Sequence, residues 1–239
     1  MTLRAMQIDY EIIFVNDGSR DRTAEILSKI AAYDERVKIV HHLSNQGYGA
    51  ALRSGFRAAT KTLVFYTDAD GQFDMNELPP LIQLINHYDI VSCFRLDRQD
   101  GLIRKINAWC WTRFTCCIFR MKVKDINCAF KLYKHRIFDE IEMHSTGAMI
   151  NAEIFARAFR CGYTVTQVGV RHYPRGSGQQ TGSKLFVVIR SFWELAKLYN
   201  NINFCSAKLS ERKSSERDGK ACSSPVVDEV QLTNPRPLD

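Results

Sequence analysis

The sequence lacks several patterns that would assign it to a common class at once. No run of roughly eighteen or more apolar residues occurs, so we expect neither a membrane-spanning helix nor a secretory signal peptide. The 8 cysteines form no C-x-x-C pair, and the 6 histidines share no metal-ligand spacing, which disfavours a zinc finger. There is no aromatic RNA-binding signature either. Nucleic acid is therefore not an expected partner.

The remaining composition predicts one globular domain with appendages. Of the 239 residues, 45% are hydrophobic, which is ample for a core. The formal net charge of +7 favours phosphate-rich partners such as nucleotide sugars or an anionic membrane surface. Several cysteines lie in apolar settings and are predicted to be buried free thiols in a reducing compartment. They are Cys93, Cys110, Cys116, Cys117, Cys128 and Cys161.

Strand-like and helix-like segments alternate in the N-terminal part of the chain. Apolar runs predict strands, and amphipathic stripes predict helices. The strands are expected at residues 10–15, 37–41, 62–67 and 90–94, and the helices at 22–33, in a segment ending at 59, and at 77–86. This alternation predicts an α/β fold with a mostly parallel central sheet flanked by helices.

The segment Asp68-Ala69-Asp70-Gly71-Gln72 follows one of these strands directly. Open α/β folds bind ligands at the carboxyl ends of their strands, and a cation such as Mg²⁺ prefers carboxylate, phosphate and water oxygens. Two carboxylates two residues apart therefore indicate a metal held against a substrate diphosphate. The alternative is a polar loop whose aspartates are solvated.

Three motifs in this order resemble those of the family 2 glycosyltransferases. They are Val15-Asn16-Asp17-Gly18-Ser19, the Asp68–Gln72 segment, and Asp125 to Tyr133, which fits the pattern D-x-x-x-x-F-[KR]-L-[YF]. The resemblance covers roughly residues 9–199 and is strongest to the dolichyl- and polyprenyl-phosphate hexosyltransferases. It implies the GT-A fold, with inverting transfer of a hexose from a GDP- or UDP-sugar to a polyprenyl phosphate. It also implies a divalent cofactor, Mg²⁺ or Mn²⁺.

The resemblance also implies roles for individual residues. The metal ligands are Asp68, Asp70 and Gln72, and the donor-binding residues are Val15, Asp17, Asp68, Ala69, Arg95, Arg175 and Lys184. The catalytic candidates are Asp70, Asp125 and Glu153, and positive charge makes Arg98, Arg104 and Lys131 the candidates for binding the acceptor phosphate. Two alternatives stay open: the arginines form a solvated basic loop, and Glu153 is a buried partner of Arg157, four residues on.

The acceptor decides whether a general base is needed. A hydroxyl acceptor requires one, and Asp125 or Glu153 would supply it. A lipid phosphate is already anionic near neutral pH and requires positive charge instead. The arginine-rich candidates therefore favour a polyprenyl phosphate. The alternatives are a transferase to a glycan or lipid hydroxyl, and a truncated, inactive relative that binds nucleotide or membrane.

Two segments interleave apolar, aromatic and basic residues, at 102–121 and 184–199. This pattern is typical of helices at a membrane surface, although a core helix is the alternative. We predict a catalytic domain over 1–182, an amphipathic juxtamembrane helix over 183–205 and a disordered tail over 206–239. The protein is expected to be cytoplasmic and peripheral on the cytosolic face of a membrane.

One departure from the family concerns the first strand. The family has an apolar strand with a P-x-[YF]-N-E motif before the V-x-D-G-S turn, whereas nine mixed residues precede Tyr10 here. That strand lies beside the one matching residues 10–15 in the GT-A sheet. Its absence predicts inner sheet edges with unpaired backbone groups.

Overall fold

A computed structural model of the chain describes residues 2–96, 102–174, 193–202 and 227–230. Only the backbone is described at 102–104 and 227–230. The strands are β1 Ile12–Asp17, β2 Val37–His42, β3 Leu63–Thr67, β4 Ile90–Arg95, β5 Phe130–Lys134, β6 Val165–Val170 and β7 Val227–Val230. The helices are α1 Thr2–Ala5, α2 Thr23–Tyr33, α3 Tyr48–Ala58, α4 Leu78–Leu84, α5 Leu102–Phe119, α6 Arg136–Glu140, α7 Ile150–Cys161 and α8 at 193–202. The elements expected in the N-terminal part of the chain begin and end within two residues of these bounds.

The chain divides into two compact units. In the described residues, the first unit comprises 2–64, 134–160 and 193–202, and the second comprises 65–96, 102–133, 161–174 and 227–230. The predicted boundaries at 182 and 205 lie outside the described residues.

The first unit contains a parallel pair of strands, in which β1 and β2 run in register from Ile12 opposite Val37 to Asp17 opposite His42. Within the described residues β1 pairs with β2 alone. Helix α3 packs closely on β1, since a Cβ at Gly55 would lie 3.3 Å from Val15 Cγ2.

Helix α8 belongs to the first unit. Its apolar residues Leu195, Leu198 and Ile202 are buried. The Arg160 guanidinium, at the end of α7, donates to the Ile202 carbonyl at 2.7 Å, so it supplies a partner at the carboxyl end of α8. Residues 193–202 are thus helical within the segment predicted to be an amphipathic helix, and the rest of 183–205 lies outside the described residues.

The second unit contains a five-stranded sheet in the order β3-β5-β4-β6-β7. Strand β6 pairs in parallel with β4 and with β7, whereas β5 runs antiparallel to β4. The prediction of a mostly parallel sheet is confirmed, although the described strands form two sheets instead of one. The core of this unit includes Ile90, Val91, Phe130, Leu132 and Val165, all of which are buried.

Strand β7 corrects part of the prediction for the tail. Val227 to Val230 lie in the segment expected to be disordered, but they pair with β6 from Val165 to Val168. The β-branched valines suit a strand, and the pairing supplies hydrogen-bond partners to the β6 edge. The remaining tail residues lie outside the described part of the chain.

None of the helices in the described residues is long and apolar enough to cross a membrane. Helix α5 nevertheless exposes apolar and aromatic side chains, those of Ile106, Trp109 and Phe114. Cys110 and Cys117 are exposed on the same helix, whereas Cys93, Cys116 and Cys128 are buried and Cys161 is half-buried. The prediction that all six are buried is therefore wrong for Cys110 and Cys117, because they lie on the side of α5 that faces away from the core.

The carboxylate of Glu11 links three segments of the first unit. It accepts from Lys38 Nζ on β2 at 2.6 Å, and from Thr60 through its backbone amide at 2.6 Å and its hydroxyl at 3.0 Å. Burial alone would raise the pKa of Glu11, but the hydrogen bonds from Lys38 and Thr60 outweigh it and lower the pKa from 4.5 to about 2. The folded protein therefore favours the ionised carboxylate.

We predict that Glu11→Gln lowers the free energy of unfolding by about 1–2 kcal/mol at pH 7, a value reduced for solvent screening. The contribution is complete above pH 4.5, and it is lost as the pH falls towards 2, because the folded-state pKa lies below the unfolded one. Urea unfolding of both proteins between pH 2 and 7 measures the difference. Glu35→Gln, at an exposed site, is the control. A gap that stays constant down to pH 2 would contradict the prediction.

Candidate functional site

The loop after β3 carries the predicted metal ligands. Asp70 Oδ1 accepts from the Gln72 backbone amide at 3.1 Å, and Gly71 between them has a φ of +73°. A glycine adopts this left-handed conformation without strain. The hydrogen bond and the glycine together form a tight turn, which fixes the direction of the Asp70 carboxylate.

A second loop holds Gln72 in place. The Tyr173 amide, shortly after β6, donates to the Gln72 carbonyl at 2.9 Å, and Gln72 Nε2 donates to the Tyr173 carbonyl at 3.1 Å. Gln72 is buried, and its amide nitrogen is occupied by this bond. Since an amide ligates a cation through oxygen, Oε1 is the atom that Gln72 could offer to a metal.

Glu77 reinforces the same arrangement. Its carboxylate accepts from the Arg171 backbone amide at 3.1 and 3.3 Å, and burial raises the pKa of Glu77. The loop after β6 is thus tied at two points to the segment after β3.

The donor set fits a hard divalent cation. Asp68, Asp70 and Gln72 offer only oxygen atoms, as Mg²⁺ and Mn²⁺ prefer. The described residues contain no group of three or more histidines, cysteines, aspartates or glutamates suited to a metal. Asp68, Asp70 and Gln72 include only two residues of these types, so they do not form a group of that kind. Their role as metal ligands stays a prediction.

Arg95 and Asp125 form a bidentate ion pair at the carboxyl end of β4. Arg95 Nε lies 2.7 Å from Asp125 Oδ2, and Arg95 Nη2 lies 3.0 Å from Oδ1. Both side chains are about one-tenth exposed, so the pair is shielded from water. This geometry orients the guanidinium plane and occupies both carboxylate oxygens of the residue predicted as a base.

Lys131 lies on β5 and is fully buried. Its ammonium donates to the Tyr66 hydroxyl at 3.2 Å, to the Ile126 carbonyl at 3.0 Å and to the Cys128 carbonyl. Burial lowers the pKa of Lys131 to about 8. A direct contact with an acceptor phosphate, as predicted, would require Lys131 to give up these bonds.

In the first unit, the Asp17 carboxylate organises the turn that follows β2. It accepts from the Gln46 amide at 2.9 Å and the Gly47 amide at 2.9 Å, and lies 2.6 Å from His42 Nδ1. Burial alone would raise the pKa of Asp17, but the hydrogen bonds from Gln46, His42 and Gly47 outweigh it and lower the pKa. His42 Nε2 lies 2.8 Å from Ser54 Oγ, which completes a chain from β1 to α3.

Glu153 is fully buried in α7 and has three hydrogen-bonding residues around it. It pairs with Arg157, whose Nε and Nη2 both lie 3.0 Å from Oε1, and accepts from the amides of His144 and Ser145 at 3.0 and 2.7 Å. The structure thus forms the Arg157 pair that the sequence left as an alternative. These contacts count against a general base at Glu153, which would need to meet substrate.

The loop held by Glu153 contacts the turn beside Asp17. The Gly49 amide donates to the Thr146 carbonyl at 2.8 Å, and a Cβ at Gly49 would lie 2.6 Å from the Ser145 carbonyl oxygen. Only glycine fits so close to the backbone. Glu153 therefore supports the shape of this turn from a distance.

Three predicted site residues, Arg98, Arg175 and Lys184, lie outside the described residues. Arg104 lies in α5, where only its backbone is described. Val15 is half-buried in β1, and Ala69 lies in the loop after β3. The predicted roles of all six stay predictions.

The sequence analysis missed three residues that hold these sites, Tyr66, Tyr173 and His42. Tyr66 was interpreted only as part of a strand, His42 only as one of the histidines without metal-ligand spacing, and Tyr173 only as part of a loop. Their polar atoms meet partners far along the chain, so local sequence carries little signal for them. The one available hint was the position of Tyr66, two residues before Asp68.

Together, the fold and these contacts define an α/β protein that carries two aspartates, a glutamine and an arginine paired with Asp125 at the carboxyl ends of strands in a mostly parallel sheet. Comparison with known proteins gives the family. Residues 2–159 match the family described as glycosyl transferase family 2, and the chain belongs to that family. The prediction from the three motifs is confirmed.

The similar curated proteins include two bacterial relatives that share one name. The undecaprenyl-phosphate 4-deoxy-4-formamido-L-arabinose transferase of Pectobacterium atrosepticum is 34% identical over 154 residues, or 62% of this chain and 47% of that protein. The Aeromonas hydrophila protein is 32% identical over 177 residues, or 72% and 52%. The chain spans about half the length of the curated relatives it matches.

Solved structures of similar fold include glucosyl-3-phosphoglycerate synthase from Mycobacterium tuberculosis. Its complex with Mn²⁺, UDP-glucose and phosphoglyceric acid matches with a TM-score of 0.59 at 13% identity, covering 79% of this chain and 68% of that one. The complex with UDP matches with a TM-score of 0.58 at 15% identity and the same coverage. At these identities the likeness concerns the fold alone, and it confirms the predicted GT-A fold.

Proposed function

We propose that the chain is an inverting glycosyltransferase that moves a hexose from a nucleotide diphosphate sugar to a polyprenyl phosphate. The observation that carries this proposal is the arrangement of Asp68, Asp70 and Gln72 in the same unit as Arg95. Oxygen ligands and a guanidinium are what a leaving diphosphate requires. The relatives named for undecaprenyl phosphate and the fold neighbour bound to UDP-glucose support the acceptor and the donor class.

In the proposed reaction, an acceptor phosphate oxygen attacks the anomeric carbon as the bond to the donor diphosphate breaks. The nucleoside diphosphate leaves with the electron pair, and a single displacement inverts the anomeric carbon. A divalent cation, Mg²⁺ or Mn²⁺, would neutralise part of the charge on the leaving group. Asp68, Asp70 and Gln72 would hold that cation, and Arg95 would bind a phosphate oxygen. Ala69, in the same loop as Asp68, keeps its predicted donor-binding role, and the roles of Val15 and Asp17 in the first unit stay predictions.

The Arg95–Asp125 pair favours a phosphate acceptor over a hydroxyl. A hydroxyl acceptor needs a carboxylate to take its proton, and both oxygens of Asp125 already accept from Arg95. Glu153 is likewise engaged with Arg157 and two backbone amides. An anionic phosphate needs no proton removed, so these two carboxylates need not act as bases.

The exposed face of α5 supports a membrane surface as partner. Ile106, Trp109 and Phe114 are exposed there, and Lys105 and Arg113 are exposed beside them. Aromatic anchors with flanking cations suit an interface with anionic lipid headgroups.

A transfer assay tests both the proposed transfer to polyprenyl phosphate and the proposed binding to a membrane surface. The chain is incubated with Mn²⁺, labelled UDP- or GDP-hexoses and either polyprenyl phosphate in anionic vesicles or soluble glycans. We expect label in the lipid extract and co-sedimentation of the protein with the vesicles. Transfer to glycans without lipid phosphate would favour the hydroxyl alternative. Donor binding without any turnover would favour the inactive relative.

A further inference from the structure

The buried ammonium of Lys131 lies between two segments of the candidate donor site. One segment leads into the Asp68–Gln72 loop, and the other follows Asp125, the partner of Arg95. Lys131 donates to the Tyr66 hydroxyl on one side, and to the carbonyls of Ile126 and Cys128 on the other. Tyr66 also donates to the Cys128 carbonyl at 3.5 Å. Three acceptors match the three hydrogens of an ammonium, so the Lys131 side chain is held on every side.

The partners of Lys131 lie next to the residues that carry the proposed chemistry. Tyr66 is two residues before Asp68, and Ile126 follows Asp125 directly. The Asp125 carboxylate in turn orients Arg95. Lys131 therefore contacts the end of β3, which leads into the Asp68–Gln72 loop. It also contacts the turn that begins at Asp125, the residue paired with Arg95.

The turn from Asp125 to Cys128 needs such a donor. Its carbonyls precede β5 and are buried, because Ile126 and Cys128 are both fully buried. A buried carbonyl without a donor costs on the order of the full desolvation of that group. Lys131 satisfies two of them at once, so moving its ammonium to a substrate phosphate would leave both without this donor.

We propose that Lys131 is a positioning residue, which holds the Asp125–Cys128 turn and Tyr66 so that Asp125 aims Arg95 at the donor diphosphate. This inference rests on the proposed function and deepens it. It assigns to Lys131 a role in donor binding, in place of the direct contact with the acceptor phosphate expected from sequence.

A positioning role of Lys131 predicts that substitution raises the Kd for the nucleoside diphosphate. Direct binding of the acceptor predicts instead that it raises the KM for polyprenyl phosphate. In Lys131→Met we expect the Kd for the nucleoside diphosphate with Mn²⁺ to rise about tenfold or more, because Arg95 loses its fixed orientation. The KM for polyprenyl phosphate should stay within about twofold. Lys131→Arg keeps a buried cation with several donors, but its guanidinium is larger and planar, so it should recover only part of the donor affinity.

A gentler pair of variants covers the case in which Lys131→Met does not fold. Tyr66→Phe removes one acceptor of the Lys131 ammonium and keeps the ring, and should raise the Kd for the nucleoside diphosphate about threefold to tenfold. Tyr133→Phe removes a buried hydroxyl on the same strand as Lys131 and is the matched control, with an unchanged Kd.

Calorimetric titration with the nucleoside diphosphate and Mn²⁺, together with steady-state kinetics in polyprenyl phosphate, separates the outcomes. A raised Kd for the diphosphate in Tyr66→Phe or Lys131→Met, but not in Tyr133→Phe, supports the inference. An unchanged Kd with a raised KM for polyprenyl phosphate overturns it in favour of direct acceptor binding, and an unchanged Kd in both variants also overturns it. Wild-type protein that binds no diphosphate would instead refute the proposed function.

Discussion

Replacing Asp70 by alanine should lower kcat for sugar transfer by about 10²–10³-fold or more. The proposed reaction builds negative charge on the leaving diphosphate, and Asp70 is one of two carboxylates that would hold the neutralising cation. Its direction is fixed by the hydrogen bond from the Gln72 amide and by the positive φ of Gly71. The substitution therefore removes a ligand that is already oriented.

Asp74→Ala is the matched control for Asp70→Ala. Asp74 Oδ1 accepts from the Asn76 amide at 2.9 Å, the same local geometry as that of Asp70 with Gln72. Only Asp70 is assigned to the metal, so Asp74→Ala should leave kcat within about threefold. Initial rates over a range of Mn²⁺ concentrations measure both variants. Equal loss in the two proteins would mean that the loop conformation matters and that the metal role of Asp70 is wrong.

Replacing Glu153 by alanine should lower the free energy of unfolding by about 3–5 kcal/mol. The change leaves the Arg157 guanidinium buried without its carboxylate, and removes the acceptor of the His144 and Ser145 amides. A loss of this size is a large part of the total stability of a typical domain, about 5–15 kcal/mol. Urea unfolding followed by circular dichroism measures the loss.

The exposed pair Glu25–Lys29 is the control, because it has the same spacing of four residues and a distance of 2.6 Å. Glu25→Ala should leave the free energy of unfolding nearly unchanged, since exposed ion pairs contribute little. Glu153→Gln keeps the size and one acceptor oxygen, and should lie between wild type and Glu153→Ala in stability. If Glu153→Ala kept full stability but lost turnover, a catalytic Glu153 would be correct and the structural assignment wrong.

Local sequence predicts well the strands, helices and turns that are determined by a short stretch of neighbouring residues. The apolar run at 62–67 and the amphipathic stripe at 22–33 give β3 and α2 within two residues. The turn residues Gly18 and Gly71 both adopt positive φ. In these places a short stretch of chain contains all the physical information needed.

The predictions that changed concern side chains whose partners are distant in the chain. The positive charge of Lys131 suits a phosphate ligand. However, β5 lies between β3 and β4 and the residues around Lys131 on this strand are buried, so the ammonium binds protein carbonyls instead. The pairing of Arg95 with Asp125 joins residues 30 positions apart, so neither residue indicates the other. Strand β7 pairs with β6 across a long separation in sequence, and composition alone indicated disorder there.

The proposed donor site is tested most directly by calorimetric titration of the chain with UDP and with GDP, each with and without Mn²⁺. We expect binding of one nucleotide that requires the metal, is abolished in Asp70→Ala and survives in Asp74→Ala. That result would establish a donor site and show whether the donor nucleotide carries uracil or guanine. Absence of binding by protein that circular dichroism shows to be folded would mean that the chain has no donor site, and the proposed transferase activity would then be wrong.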